Sequence, residues 1–219
     1  MIGGAPWPGR NAGSGVWMED EADLAAALRA GLAARAAPLV PAPRAVERLL
    51  ARCRTRALRK GEAALEAGTV AAEVLFVGPG LLRMVTPDAD GTVRTSQFFD
   101  AGQAITDPVS FLTGRPSDQR IEAVEPTGLL AIPRGPLLAA YEEDHAIERF
   151  GRLMVEEALI GTHLRASRLL NLSVEARYET FLRTRPEVAR RLPQYLIASY
   201  LGVTPEALSR IRGRIARGG

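Results

Sequence analysis

The 219 residues exceed one small helical module and suit two domains, because typical domains span about 100 to 200 residues. Apolar residues make up 47% and charged residues 24%, which is ordinary for a globular protein. No uninterrupted apolar run approaches the roughly 20 residues that span a bilayer, and the N-terminus lacks the pattern of a secretory signal. We therefore expect a cytoplasmic protein that does not insert into membranes.

Positive charge is concentrated at the C-terminal end of the chain. From Arg177 onward there are nine arginines and three glutamates, a net charge of +6. Because the overall net charge is +3, the preceding residues carry −3. A basic segment beside a mildly acidic body is typical of a module that approaches phosphate groups.

Residues able to carry catalysis or bind metals are few and scattered. The single cysteine, Cys53, excludes an intrachain disulfide and a cluster held by four thiolates, and its amphipathic context predicts a buried structural thiol. His145 and His163 have no metal-ligand spacing around them. Glycine-rich phosphate loops, nucleophile elbows and paired carboxylates are missing from the sequence. The sequence predicts neither an enzyme nor a metal or cofactor site.

Two helices are predicted before the first strand. The opening segment 1–15 is rich in Gly and Pro and predicts a leader without a fold. Residues Glu19–Ala37 have leucines at helical spacing, and a shorter helix is expected over about Ala45–Arg52.

Short β-type runs follow between Thr55 and about Pro133, each bounded by glycine. DADG (88–91) predicts a hairpin turn. The pattern indicates an antiparallel barrel or sandwich. The runs are VLFV (74–77), LLRMV (81–85), VRTSQFF (93–99), IEAVE (121–125) and LLAI (129–132).

A long helical region is predicted from Pro136 to Asn171. Such a helix is longer than one small domain can cover, so its apolar stripe predicts a symmetric dimer seam; docking on the chain's own barrel is the alternative. Ser173 can cap a new helix over Val174–Arg183, which places a hinge here. The stripe comprises Ile147, Phe150, Leu153, Met154, Ile160 and Leu164.

The stretch QYLIASYLGVTPEALSRIRG (194–213) fits a helix-turn-helix. Ala198 is small where two helices approach, and Gly202 can adopt the positive φ of the turn. Thr204 can cap the second helix, and Pro205 suits its first position. Apolar residues stand where the unit needs an inner face: Ile197, Leu201, Val203, Leu208 and Ile211.

The second helix of this unit predicts a DNA-reading face. Its exposed face carries Pro205, Glu206, Ser209 and Arg210, a mixture of base-reading and phosphate-binding chemistry. Arg212 and Arg214 suit phosphates. A helical hairpin that only packs is the alternative. The predicted DNA-binding residues are Thr204, Pro205, Glu206, Ser209, Arg210, Arg212 and Arg214.

The order of barrel, long helix, hinge and helix-turn-helix over Ala45–Arg214 resembles the Crp/Fnr family of bacterial transcription regulators. The resemblance is most specific in EVLFVGPGLLRM (73–84), SFLTGRPSDQRIEAVE (110–125) and RYETFL…RLPQYLIASYLGVTPEALSRIR (177–212). It implies an α+β fold and a homodimer on a palindromic site in double-stranded DNA, with RNA polymerase a further candidate partner. The implied domains are a leader and helix (1–40), a cyclic-nucleotide-binding-like β-roll (41–143), a dimerisation helix (144–171) and a helix-turn-helix domain (172–219).

The resemblance also identifies departures from the family. Relatives place Glu and Arg one turn apart to read bases, matching Glu206 and Arg210, but many have an arginine where this chain has Pro205. We therefore expect a different preferred half-site. The stretch 182–192 lacks the β-rich pattern of a hairpin wing.

The effector cassette departs further. Cyclic-AMP binders of the family hold the ribose with a Gly-Glu pair and the phosphate with an Arg-Ser or Arg-Thr pair. The resemblance aligns Thr106 and Asp107 with the first pair and Ser117 and Asp118 with the second, so the phosphate-neutralising arginine is missing. A phosphate would meet the like charge of Asp118.

Two arginines near this cassette could replace the missing cation. Arg115 and Arg120 are close in sequence, but strand alternation favours solvent for both. Thr162 falls where responsive relatives place a threonine against adenine. These three complete the candidate effector set.

The sequence is compatible with three functions. The first is a sequence-specific DNA-binding transcription regulator that does not respond to cyclic AMP in the usual way. The second is a cyclic-nucleotide or other small-molecule receptor module whose β-roll pocket is functional and whose DNA binding is lost. The third is a sensor that uses the apolar β-roll interior. The effector is an unidentified small molecule or none.

Overall fold

The computed structural model of the chain describes residues 21–87 and 92–218; the predicted leader (1–15) and the DADG turn (88–91) lie outside them. The fold is α+β, as expected. In chain order the elements are α1 (Glu21–Ala36), α2 (Pro43–Leu50), β1 (Arg54–Leu58), β2 (Ala63–Leu65), β3 (Glu73–Val77), β4 (Leu81–Pro87), β5 (Val93–Asp100), β6 (Ala104–Ile105), α3 (Pro108–Thr113), β7 (Arg120–Ala123), β8 (Thr127–Pro133), α4 (Arg134–Glu143), α5 (His145–Asn171), α6 (Val174–Thr184), α7 (Pro186–Arg191), α8 (Gln194–Leu201) and α9 (Pro205–Gly218).

Two four-stranded antiparallel sheets form the β-roll. Their strand orders are β1-β8-β3-β6 and β2-β7-β4-β5, and apolar side chains from both sheets share one core. All five predicted β-type runs lie in or overlap strands. Strand β1 has the sequence RTRAL, whose arginines hide the apolar pattern, and it pairs along its length with β8. Pairing with a buried neighbour therefore makes a strand that the local sequence does not indicate.

The N-terminal helices cover the outer face of the β1-β8-β3-β6 sheet, opposite the core that the two sheets share. Leucines of α1 are almost fully buried against Ile147 and Phe150 of α5 and against Leu130 and Ile132 of β8. The first turns of α5 are therefore part of the protomer's own core. No helix among the described residues is long and apolar enough to cross a membrane.

The predicted continuous helix from Pro136 to Asn171 is interrupted at Asp144. The backbone of Asp144 is extended, with φ −143° and ψ 110°, so α4 ends there and α5 begins. The Asp144 carboxylate accepts hydrogen bonds from the backbone N–H groups of Ala146 at 2.8 Å and Ile147 at 3.1 Å. It also accepts one from Ala42 at 2.8 Å, which joins the segment before α2 to the start of α5.

The helix-turn-helix module docks onto strand β5, an edge strand of its sheet. Ser199 Oγ of α8 accepts a hydrogen bond from the Thr95 N–H at 3.0 Å and donates to the Val93 carbonyl at 3.2 Å. The rings of Phe98, Phe181 and Tyr200 pack with centroids 5.0 to 6.4 Å apart. A helix covering an edge strand satisfies backbone groups that would otherwise invite further strands.

Arginine contacts reinforce this docking on both sides of α7. Arg185 donates to the Phe98 carbonyl at 3.0 Å and to Asp100 Oδ1 at 2.7 Å. Arg191 donates to the Gly80 carbonyl at 2.8 Å and pairs with Glu125. Helix α7 occupies most of the 182–192 stretch that lacks the wing pattern, and that stretch contains no strand.

We predict that Asp144→Ala lowers the free energy of unfolding by about 1 to 2 kcal/mol, the usual cost of removing an N-cap. Asp144→Asn should lose less, because an amide oxygen can still cap. Glu142→Ala, at an exposed side chain without a partner among the described residues, is the matched control. Urea unfolding measures all three.

The same substitution has a pH signature. Partial burial raises the pKa of Asp144, but hydrogen bonds from Ala42, Ile147 and Ala146 outweigh it and lower the pKa below its ordinary 3.8. A lowered native pKa stabilises the fold above the unfolded pKa, and this stability is lost as pH falls through the native value. The difference between wild type and Asp144→Ala should therefore be constant above about pH 5 and shrink below about pH 4. A difference that does not change with pH would contradict this origin.

Candidate nucleic-acid interface and effector cleft

The turn between α8 and α9 has the geometry that its sequence requires. Gly202 has a φ of 72°, in the left-handed region that favours glycine. Its neighbour Val203 donates its N–H to the Ala198 carbonyl at 3.0 Å, and Ala198 is completely buried. Thr204 Oγ1 accepts a hydrogen bond from the Ala207 N–H at 3.2 Å, which caps α9.

The two faces of this unit differ sharply in exposure. Of the predicted inner face, Val203 is half-buried and the other four residues are buried. All seven predicted DNA-binding residues are exposed: Thr204, Pro205, Glu206, Ser209, Arg210, Arg212 and Arg214. The structure therefore presents an exposed and largely polar face at the start and along the length of α9.

The charged side chains on this surface differ in whether they already have a partner. The pKa of Glu206 is lowered by a hydrogen bond from its own backbone N–H, by the Thr204 hydroxyl and by the charge of Arg210, so the carboxylate is ionised at neutral pH. Arg214 pairs with Glu175 of α6, so it has to leave that partner to bind a phosphate. Among the described residues, neither Arg210 nor Arg212 has a carboxylate within 4.0 Å. These two guanidinium groups are available to a ligand.

The predicted effector cassette is closed on itself. Asp107 is buried and caps α3 by accepting hydrogen bonds from Val109 and Ser110 N–H. Ser117 is buried too and donates its hydroxyl to Asp107 Oδ2 at 2.5 Å. Both side chains hold the loop around α3 together, and these contacts occupy the groups that were predicted to contact a ligand.

The other members of the predicted effector set are dispersed. Arg115 and Asp118 are exposed. Arg120 donates to the Gly61 carbonyl at 3.2 Å and pairs with Glu66 and Glu122, each at 3.3 Å, so its charge is used within the β-roll and not left in solvent. Thr162 is exposed on α5. None of these four residues lines the cleft beside the cassette.

An open cleft of about 430 Å³ lies beside this cassette, and Thr106 is the one member of the predicted set that lines it. The Thr106 hydroxyl donates to the Glu73 carbonyl at 2.9 Å. Arg54 and Glu73 also line the cleft and pair with each other at 2.6 Å. Nothing in the local sequence marks this pair. Most other lining residues are small or aliphatic, including Ala63, Ala64, Leu65, Val70, Ala71, Leu75 and Ile121.

The predicted dimer stripe divides into two parts along α5. Ile147 is 0% exposed and Phe150 8% because α1 covers them, so these two belong to the protomer core and not to a dimer seam. Leu153 and Met154 are half-buried, whereas Ile160 and Leu164 are exposed. Val155 and Leu159 are exposed as well, at 57% and 68%, although the predicted stripe omits them.

The cysteine and the histidines form no reactive centre. Burial raises the pKa of the Cys53 thiol to about 11, and its Sγ–H donates to the Leu49 carbonyl at 3.3 Å. Such a thiol is protonated and poorly nucleophilic at neutral pH. No three His, Cys, Asp or Glu side chains come together as metal ligands within the described parts of the chain.

Comparison with known proteins identifies one matching domain family and several structures of similar fold. Residues 55–144 match the family model described as the cyclic nucleotide-binding domain. No curated protein matches the chain in sequence. The fold is similar to that of FixK2 from Bradyrhizobium japonicum, at 23% identity and a TM-score of 0.65, covering 76% of this chain and 86% of that one.

Two further solved structures have the same fold. The c-di-GMP-responsive global regulator CLP from Xanthomonas campestris is 18% identical, with a TM-score of 0.65 over 81% of this chain and 93% of that one. A putative Crp/Fnr-family transcriptional regulator from Eubacterium rectale is 15% identical, with a TM-score of 0.67 over 81% and 85%. At these identities the similarity establishes the fold.

Proposed function

We propose that this chain, which contains a cyclic nucleotide-binding domain and has the fold of Crp/Fnr transcription regulators, is a sequence-specific DNA-binding transcription regulator and not an enzyme. The observation that carries the proposal is the exposed face of α9, where Arg210 and Arg212 have no carboxylate partner among the described residues. DNA as the partner places the protein in the cytoplasm, with RNA polymerase as a further proposed partner.

The chemistry of α9 supports a division of labour in DNA binding. The Glu206 carboxylate can accept from cytosine N4 and the Arg210 guanidinium can donate to guanine O6 and N7. Arg212 suits a phosphate, which adds affinity without sequence preference. Arg214 can bind a phosphate as well, but only after its ion pair with Glu175 breaks.

Two-fold symmetry follows from the proposed dimer. The exposed apolar residues in the C-terminal half of α5 support a seam there, because packing on a second copy would remove their apolar surface from water and stabilise the dimer. It comprises Val155, Leu159, Ile160 and Leu164, with half-buried Leu153 and Met154 at its edge. Two copies of α9 would then enter successive major grooves about 34 Å apart, on an inverted repeat.

The effector proposed for the β-roll is not cyclic AMP. The phosphate-neutralising arginine is missing, and Ser117 is already bonded to Asp107. The cleft of about 430 Å³ favours the alternative function, a small-molecule receptor whose ligand is mostly apolar with a polar group for Thr106 or the Arg54–Glu73 pair. In that alternative α9 does not bind DNA.

We predict that Leu159→Glu combined with Ile160→Glu gives monomers, because four like charges would enter the symmetric seam. Multi-angle light scattering measures the mass. Val109→Glu combined with Leu112→Glu is the matched control, since these residues are comparably exposed on α3, away from the seam. An unchanged dimer mass in the Leu159/Ile160 variant would place the interface elsewhere.

We predict that cyclic AMP does not bind detectably in calorimetry. A site that lacks a charge-assisted partner for a buried phosphate typically binds it about a hundredfold or more weakly than a site that has one. Asp118→Asn, which removes an exposed like charge without adding a cation, should not bind either. A dissociation constant of about ten micromolar or tighter for wild type would show that another cation replaces the missing arginine.

We predict that Arg210→Ala loses about 1 to 3 kcal/mol of DNA-binding free energy per half-site and relaxes the preference at one base. Arg212→Ala should weaken selected and random duplexes alike and lower the salt slope by about one for each phosphate that is no longer neutralised. Fluorescence anisotropy on both duplexes across a salt series separates the two effects. If Arg210→Ala keeps the wild-type ratio of affinities, Arg210 does not read a base.

A further inference from the structure

A small pocket lies at the hinge, where the end of α5 meets α6 and α8. Its volume is about 30 Å³, enough for about two water molecules, and it is partly open to solvent. Three arginines line it together with two threonines and two aromatic rings, among them Arg165, Arg168, Arg177, Thr180, Phe181 and Tyr200. None of these residues belongs to the DNA-reading face or to the β-roll cleft.

Two of the arginines hold backbone carbonyls at helix ends. Arg177 donates to the Leu169 carbonyl at 3.1 Å and to the Leu201 carbonyl at 3.0 Å. Arg165 donates to the Tyr200 carbonyl at 2.8 Å and to Thr95 of β5 at 3.2 Å, and its guanidinium lies 3.9 Å from the centre of the Tyr200 ring. The third, Arg168, has no side-chain partner among the described residues.

The positive charge of this pocket is not balanced. No Asp or Glu lines it, and none of the described carboxylates lies within 4.0 Å of any of the three arginines. The C-terminal ends of α5 and α8 together supply about one negative charge, since each helix terminus carries roughly half a charge. About two of the three positive charges therefore remain uncompensated. Burial, with the charge of Arg177, lowers the pKa of Arg165.

One of these arginines also has a donor that lacks an acceptor. The Nε atom of Arg177 is buried and has no hydrogen-bond partner among the described residues. Burying an unpaired donor of a charged group costs free energy that an acceptor would recover. The lining residues thus combine excess positive charge with an unpaired buried donor in Arg177.

We propose that this hinge pocket binds a small phosphate-type oxyanion, inorganic phosphate or a phosphate monoester, which places one or two oxygens between the guanidinium groups while the others stay in solvent. The assignment goes beyond the proposed function, because it adds an anion site outside the β-roll. A bound oxyanion would link α5 to α6 and α8 through charge-assisted hydrogen bonds.

Inorganic phosphate is the probe, and thermal unfolding and phosphorus NMR of the full chain are the measurements. Phosphate should raise the melting temperature above that in chloride of equal ionic strength, and its NMR signal should broaden on binding. Arg168→Gln should weaken phosphate binding about tenfold, the effect of one charge-assisted contact. Arg183→Gln, an exposed arginine of α6 outside the pocket and without a partner among the described residues, should bind as wild type.

Equal stabilisation by phosphate and chloride, or equal phosphate affinity in the two arginine variants, would overturn the site. If Arg168→Gln does not fold, Thr180→Val is the second variant, because it removes a hydroxyl from the wall with little change of shape. It should weaken phosphate binding and leave the melting temperature of the phosphate-free protein unchanged. The phosphate group could instead come from the DNA backbone. In phosphate-free buffer that source predicts a DNA salt slope lowered by about one in Arg168→Gln and no phosphate-specific stabilisation, which would reject the free-ion site. Loss of DNA binding in wild type would leave the phosphate result standing.

Discussion

The docking of the helix-turn-helix module onto strand β5 is the interaction on which the arrangement of the protein depends. Strand β5 is an edge strand, and α8 covers it through Ser199, which bonds backbone groups of Thr95 and Val93. The aromatic packing of Tyr200 against Phe98 adds an apolar contact across the same boundary. Because α8 and α9 share one tight turn, fixing α8 also fixes the orientation of the exposed face of α9. The β-roll therefore sets the direction in which the proposed DNA-reading surface points.

Helix α5 has different roles in its two halves. Its first turns begin at the Asp144 cap and bury Ile147 and Phe150 against α1, so they belong to the protomer core. Its second half exposes apolar side chains such as Leu159 and ends at the hinge, where Arg165 reaches both β5 and α8. A displacement of α5 would therefore act on the proposed dimer seam and on the docked module together. Through α5, a ligand in either half of the molecule would alter the proposed DNA binding.

The distribution of charge argues against the usual phosphate ligand in the β-roll. The polar groups of the cassette are hydrogen-bonded within the loop, since Ser117 donates to Asp107 and Asp107 caps α3. Arg120 is paired with Glu66 and Glu122. Unbalanced positive charge lies instead at the hinge and on α9. The proposed effector cleft thus favours an apolar ligand, and anions are expected elsewhere.

The sequence by itself determined the elements whose signals are local. The turn at Gly202 with its Thr204 cap, the exposed face of α9 and the glycine-bounded strands all depend on residues a few positions apart. Only the tertiary structure decided what distant segments do to one another. Coverage by α1 removes Ile147 from the predicted dimer seam, and the bond from Ser117 to Asp107 converts two predicted ligand contacts into loop supports. Periodicity shows which face of an element is apolar, but burial and pairing depend on which distant segment packs on that face.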